Sequence, residues 1–529
     1  MPEADRARGT VGALMSAPPV TATPGESVAD AAARMGERKV GSVVVTDGDR
    51  PVGILTERDL VRVAGGGIDP SAATVADWMT ADPDVVGPDE PVGRAFHALS
   101  KGGYRHFPVV EDGRVVGVVS IRDLLRVARI EPVTSPGHLE APKGLEGVIV
   151  AETEIGDVRG EEGFYHYRQH SAVELAEKRN LEDVWHLLFH GHLPSEEERE
   201  RFVAAVRPLR EIPDDVAAEL PAIARTGKDF VPLDALRTAV SLTAQSLGLR
   251  PTIDVDADDL RQDALRICAV TPTLIMALWR LRNGREPVPP HPGLPYAANY
   301  LFMRTGQKPK PDHARAVEQY LISTIDHGFN ASTFSARVIT STAADLGSAV
   351  VGAIGALSGP LHGGAPSRAL EMLEVIRTPQ NAERYVREAL EKGERIMGFG
   401  HRVYKTEDPR SRMLKGIAQR LGGEKAELAL SIEQTIVDTL AELKPGRQLY
   451  ANVEFYAGVV MDACGLPEEL FTPTFTASRM IGWCANVLEQ AADNRLIRPK
   501  ARYVGPEAPQ PVPSSYSSGS RTRHTPLMQ

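Results

Sequence analysis

An ungapped internal repeat constrains this chain before anything else does. Residues 10–64 realign on 74–128 at a constant offset of 64, with 19 of 55 positions identical, and self-similarity of that length marks a duplicated module. Each copy opens with a TVxxxM pattern (Thr10, Val11, Met15; Thr74, Val75, Met79) and passes Pro24 or Pro88 into a stretch, Ala-rich in the first copy, that reads as a helix. β-Branched runs follow and predict strands: Ser42 to Thr46 and Arg50 to Thr56 in the first copy, Phe107 to Val110 and Val115 to Ser120 in the second. A short Asp/Gly turn separates the runs in each copy. A second helix is expected to start at Thr56 or Ser120.

These features resemble the tandem cystathionine-β-synthase (CBS) domain pair over nearly all of residues 10–128. The resemblance implies a compact α/β sensor whose clefts take adenine nucleotides. In that family the acid of an [ST]xx[ND] segment contacts the ribose hydroxyls; here the segments are TERD, with Thr56 and Asp59, and SIRD, with Ser120 and Asp123. The same spacing is that of a capped helix start, so capping and ligand contact are both open readings. The expected boundaries are 10–66 and 74–130 for the two CBS domains, then a Pro/Gly-containing linker at 131–143.

From Ala172 to Leu496 the pattern changes to apolar residues at three- and four-residue spacing, as in Leu181, Val184, Leu187 and Leu188, or Ile432, Ile436, Leu440 and Leu443. A mostly α-helical domain is expected there, broken where Gly and Pro cluster. The breaks carry unusual polar residues. SGPLHGGAP holds His362 among glycines, GFGHRVYKTEDPR holds His401 and Arg410, ANVEFYAG offers Asn452 as a cap and Glu454 in the first turn, and DHGFNASTF sets His327 beside Asn330 and Ser332. Singly, each has a plain structural explanation, because a loop histidine satisfies backbone groups and an acid in a first turn favours the helix dipole.

In this order, and with Arg479 in SRMIGW and Arg498 in RLIRP, the set resembles citrate synthase over roughly residues 144–504. The resemblance implies a fold of large and small helical domains and a Si-type Claisen condensation of acetyl-CoA with oxaloacetate, in the tricarboxylic acid cycle. It gives Glu454 the role of catalytic base, His362 that of donor to the thioester oxygen and His401 that of donor to the ketone. His327, Arg410, Arg479 and Arg498 take the oxaloacetate positions, Arg498 crossing from the partner subunit of a homodimer, while Lys405, Gly398 and Gly400 fall on the coenzyme A side. One position departs from the family: its usual NVDF aspartate is Glu454 here, which moves the carboxylate outward by ~1.5 Å and calls for compensation in the helix start. Two alternatives go with this reading, a 2-methylcitrate synthase using propionyl-CoA and a nucleotide sensor with an impaired synthase domain.

Composition narrows the remaining classes. A chain of 529 residues is expected to form at least two domains. Sixty basic against 70 acidic residues, a net charge of −10, set the bulk field against nucleic acid or an anionic membrane as the main partner. MPEADRARGT has no apolar signal core and no uninterrupted apolar run approaches the ~20 residues that span a bilayer, so a cytoplasmic protein is expected. Cys268, Cys464 and Cys484 form no CxxC pair. The site histidines and Glu454 invite a metal, but no pair among them has four-residue helical spacing and the nearby arginines repel a cation; neither metal nor cofactor is expected. Beyond 504 the Pro- and Ser-rich segment 505–529 reads as a disordered tail.

Overall fold

The computed structural model describes residues 10–92, 94–95, 105–120, 123–124, 141–360, 362, 365–401, 403–446, 448–506 and 508–510. Most of the second copy's first helical stretch and of its closing helix, the linker at 131–140 and the tail beyond 510 lie outside the described residues. The chain divides into two units, Met1–Val148 and Ile149–Gln529.

In the first unit the elements run β1 (Thr21–Ala22), α1 (Val28–Arg38), β2 (Ser42–Asp47), β3 (Arg50–Thr56), α2 (Glu57–Gly65), β4 (Thr80–Ala81), β5 (His106–Glu111) and β6 (Arg114–Ser120). Ser27 starts α1 by accepting the Asp30 N–H at 3.1 Å, and Lys39 stops it in a left-handed conformation. β2 and β3 pair antiparallel with Val43 opposite Leu55. β5 and β6 repeat that register with Phe107 opposite Val119, one repeat length later.

The opening TVxxxM segments trade places between the copies. Val11 is buried with Phe107, Val109 and Val119 of the second copy, and Ser16 bridges to Val118. Conversely, Val75 is buried with Val43, Val45 and Leu55 of the first copy, and β4 pairs with β3. Gly53 lies against the Met79 thioether, and a Cβ at Gly117 would stand 2.6 Å from Met15 Sδ. These two contacts are related by the 64-residue offset, and only glycine admits the methionine so close. The boundaries 10–66 and 74–130 therefore delimit repeats of sequence, whereas the packed halves exchange their first segments.

In the second unit a sheet in the order β7 (Gly156–Arg159), β8 (Phe164–Tyr167), β9 (His170–Ser171) precedes the helices. The periodicity did not foretell it. β8 alternates, sending Tyr165 and Tyr167 inward. The helices used below are α3 (Leu181–His190), α4 (Glu196–Val206), α5 (Ala257–Arg282), α6 (Pro311–Thr324), α7 (Ala331–Ser341), α8 (Leu346–Leu357), α9 (Ala365–Ile376), α10 (Pro409–Leu421), α11 (Glu424–Leu443), α12 (Val453–Ala463) and α13 (Phe471–Ala492). The core sits around α5 and α13, which pack on one another and are buried over most of their length. α5 is long and apolar enough to cross a membrane, yet it is mostly buried inside this unit, as a central core helix is.

Candidate active site

Helix starts hold most of the site. Asn330 caps α7 by accepting the N–H groups of Ser332 (3.2 Å) and Thr333 (3.1 Å), and Asn452 caps α12 by accepting the Glu454 N–H (3.0 Å). Asp408 caps α10 through the Arg410 N–H at 3.0 Å. The caps fix the backbone directly beside His327, Glu454 and Arg410.

The loop before His401 is stitched to the segment entering α12. Asn452 N–H donates to Gly398 O (2.8 Å), Gly400 N–H to Tyr450 O (2.8 Å), and the Asn452 amide to Gly400 O (2.9 Å). Gly398 and Gly400 have φ of 80° and 83°, and a Cβ on Gly398 would lie 2.9 Å from Phe455 Cβ. Positive φ at both positions, and the Phe455 contact at Gly398, demand the two glycines. The consequence is that His401 and Glu454 share one braced unit.

Hydrogen bonds assign the histidine tautomers. His401 Nδ1 accepts the N–H groups of Val403 and Tyr404, each at 3.0 Å, so the neutral ring carries its proton on Nε2. Nε2 lies 3.4 Å from Arg410 Nη2, which is another donor. Two donors side by side suit a ligand oxygen between them. His362 Nε2 receives the Ser332 N–H at 3.3 Å and lies 2.8 Å from Ser332 Oγ, which puts the His362 proton on Nδ1. Trp483 Nε1–H anchors Ser332 Oγ at 3.1 Å. Burial, then Arg410, hold His401 down to about 4, and burial, then Arg479, do the same for His362. Burial with Arg410, His401 and Arg479 also holds His327 well below its ordinary value, and its Nε2 meets Tyr404 Oη at 3.0 Å. All three rings are neutral near pH 7.

The arginines are buried and differently paired. Arg410 forms a two-point contact with Asp408 (Nε to Oδ1 3.0 Å, Nη2 to Oδ2 2.8 Å), and Asp408 Oδ2 also accepts the Val453 N–H at 3.2 Å. Burial works against both charges, but each partner overcomes it for the other: the Asp408 pKa is lowered and the Arg410 pKa raised. Arg479 donates Nε–H to Thr324 O at 2.9 Å and stacks on Phe475, and its terminal nitrogens make no ion pair among the described residues. A dianion with two carboxylates matches this arrangement.

Glu454 completes the cluster. Its carboxylate makes no hydrogen bond among the described residues, and burial pushes its pKa up to about 7, Arg410 lowering and Asp408 raising it further. A carboxylate poised there is a base for a weakly acidic carbon. Tyr165 and Tyr167 were not anticipated. They clamp the end of α6 through Ser323 O (3.0 Å) and Ile322 O (2.9 Å), and Tyr165 packs against His327. The alternating FYHY run was the available signal.

A family model described as "Citrate synthase, C-terminal domain" matches residues 144–500, and a CBS domain model matches 11–66 and 75–129. This chain belongs to the citrate synthase family. A citrate synthase of Deinococcus radiodurans is 40% identical over 373 residues, covering 69% of this chain and 95% of that one. The crystal structure of citrate synthase from Thermotoga maritima matches with a TM-score of 0.62 at 36% identity, covering 70% of this chain and 98% of that chain. The citrate synthase of Thermoplasma acidophilum, solved with carboxymethyl coenzyme A and oxaloacetate, matches with a TM-score of 0.65 at 30% identity, covering 71% and 99%. The enzyme class is therefore acyltransferase, with tandem CBS domains ahead of the citrate synthase fold.

Contacts and electrostatics of the citrate synthase unit tie together His327, His362, His401, Arg410, Arg479 and Glu454. Arg498 is exposed beyond α13, and Lys405 is exposed in its loop. In the CBS region both acids act as caps: Asp59 Oδ2 accepts Thr56 N–H (3.0 Å) and Oγ–H (2.7 Å), and Asp123 Oδ2 accepts Ser120 N–H (3.0 Å) and Oγ–H (2.6 Å). Asp59 Oδ1 also meets Arg62 at 3.3 Å.

Proposed function

We propose that this chain condenses acetyl-CoA with oxaloacetate and water to give citrate and CoA, and that adenine nucleotides tune the reaction through the CBS pair. The observation that carries the catalytic reading is a carboxylate, Glu454, raised by burial and without a hydrogen bond among the described residues, in the field of the same buried Arg410 that acts on the neutral His401 and His327. Oxaloacetate carboxylates take Arg410 and Arg479, with His327 beside them and Arg498 supplied by the second subunit of a homodimer. Coenzyme A lies along Lys405 and the Gly398–Gly400 backbone.

Glu454 accepts a methyl proton of acetyl-CoA, and the electron pair moves to the thioester oxygen, which takes a hydrogen bond from His362 Nδ1–H. The enolate carbon then attacks the oxaloacetate ketone carbon, whose oxygen takes the proton of His401 Nε2, and the proton held by Glu454 leaves to solvent as solvent returns one to His401. Water finally cleaves the thioester of citryl-CoA and releases the CoA thiol. Regulation requires that a nucleotide bind two states of the enzyme unequally, and typical couplings change an apparent constant by roughly 5- to 150-fold. The test is release of free thiol from acetyl-CoA and, in parallel, propionyl-CoA, with and without oxaloacetate and with AMP, ADP or ATP. Oxaloacetate-dependent release that favours acetyl-CoA supports the reading; faster turnover of propionyl-CoA, or none of either, overturns it.

A further inference from the structure

The corner between α3 and α4 gathers a second set of ligating side chains. His186 and His190 lie four residues apart at the end of α3, their rings stacked at 4.3 Å. Gly191, at φ 85°, ends that helix and turns the chain so that the His192 ring falls back to 5.1 Å from His186. Ser195 then starts α4 with a capping box in which the Ser195 N–H donates to Glu198 Oε2 (2.8 Å). Glu198 Oε1 is left 3.2 Å from His192 Nε2. One ligand atom each from His186, His192 and Glu198 all lie within 4.8 Å of one another.

Both histidines are oriented by backbone carbonyls. His186 Nδ1–H donates to His192 O at 3.1 Å, and His192 Nδ1–H donates to His190 O at 3.2 Å. Metal-binding histidines are held in this way, the second nitrogen fixing the tautomer and leaving a lone pair on the first. In the neutral His192 ring that lone pair faces a carboxylate oxygen, a repulsive contact that either a proton on Nε2 or a metal ion held by both atoms relieves. We propose that His186, His192 and Glu198 bind one divalent transition-metal ion of the zinc type.

Two imidazoles and one carboxylate form a recognised zinc donor set, with the remaining position open to water. Ligand atoms about 2.0–2.1 Å from a tetrahedral ion stand roughly 3.4 Å apart, so His192 Nε2 and Glu198 Oε1, at 3.2 Å, already fit, and the widest pair, within 4.8 Å, closes by at most about 1.4 Å. His192 is exposed and Glu198 half-buried, so both have room to rotate, while His186 is fixed on a floor that includes Phe202. Asp183 adds negative field at His186. Arg261 opposes it, but is itself paired with Asp258 at 2.6 Å. The competing account is an ordinary ion pair between a protonated His192 and Glu198.

The full-length protein, stripped with a chelator and dialysed, is titrated with Co²⁺ followed by visible absorbance, then with competing Zn²⁺. One Co²⁺ per chain with a four-coordinate spectrum, displaced by Zn²⁺, is expected. His192→Ala and Glu198→Gln should each weaken binding at least tenfold, while His170→Ala leaves it unchanged. Glu198→Gln keeps the capping box, so its effect is not one of unfolding, and thiol release by both variants should match the parent without metal. Equal Co²⁺ uptake by the parent and a His192→Ala, Glu198→Gln double variant, or no uptake by the parent, refutes the site and leaves the ion pair.

Discussion

Glu454 trades stability for reactivity, and replacing it by glutamine exposes both sides. Its carboxyl is raised from 4.5 to about 7, chiefly by burial. A group with a raised folded pKa gives its full stability contribution below the unfolded value and loses it as pH rises through the folded one. Ionised Glu454 should therefore cost the folded state about 3 kcal/mol above pH 7, falling to nearly nothing at about pH 4.5. Glu454→Gln removes the charge and keeps the shape. Denaturant unfolding should show the variant more stable than the parent at pH 8, with the gap closing towards pH 4.5. Kinetics should move the other way. In the parent, kcat/KM should fall about tenfold from pH 8 to pH 6 as the base protonates in the free enzyme, and the variant should lose several orders of magnitude in kcat with oxaloacetate binding nearly kept. Near-normal turnover of Glu454→Gln, or a parent profile flat from pH 6 to pH 8, would show that another group takes the proton.

Three further outcomes follow from the geometry. Gly398→Ala places a side chain at positive φ and 2.9 Å from Phe455 Cβ, so it should destabilise the protein by about 1–3 kcal/mol in denaturant melts and lower kcat by disturbing the His401–Glu454 brace. Arg410→Lys keeps the charge but loses the two-point contact with Asp408; oxaloacetate KM should rise at least tenfold, read by steady-state kinetics at saturating acetyl-CoA. In the CBS pair, Asp59→Ala with Asp123→Ala should abolish an AMP or ATP effect on apparent substrate affinity, at about 1 kcal/mol of lost capping per site. An unchanged nucleotide response in a folded double variant would assign Asp59 and Asp123 to capping alone.

The sequence by itself determined what is local or periodic. The 64-residue offset announced the duplicated hairpins, down to the equivalent registers Val43–Leu55 and Phe107–Val119. Apolar spacing announced the helices, because 3.6-residue periodicity is written along the chain. It also placed Asn452 as a cap, since capping needs only neighbours. Four things were decided by tertiary structure. The TVxxxM segments exchange between copies, burying Val11 and Val75 in the other copy's core, with Gly53 and Gly117 each admitting the other copy's methionine, a relation between residues 26 and 102 positions apart. The protons of His362 and His401 were assigned by amides, one of them thirty residues away in sequence. Tyr165 and Tyr167 entered the site because β8 folds onto α6, more than 150 residues downstream. The value near 7 at Glu454 arises from burial, opposed by Arg410 and reinforced by Asp408, and desolvation is a property of the packed interior that no single stretch of chain possesses.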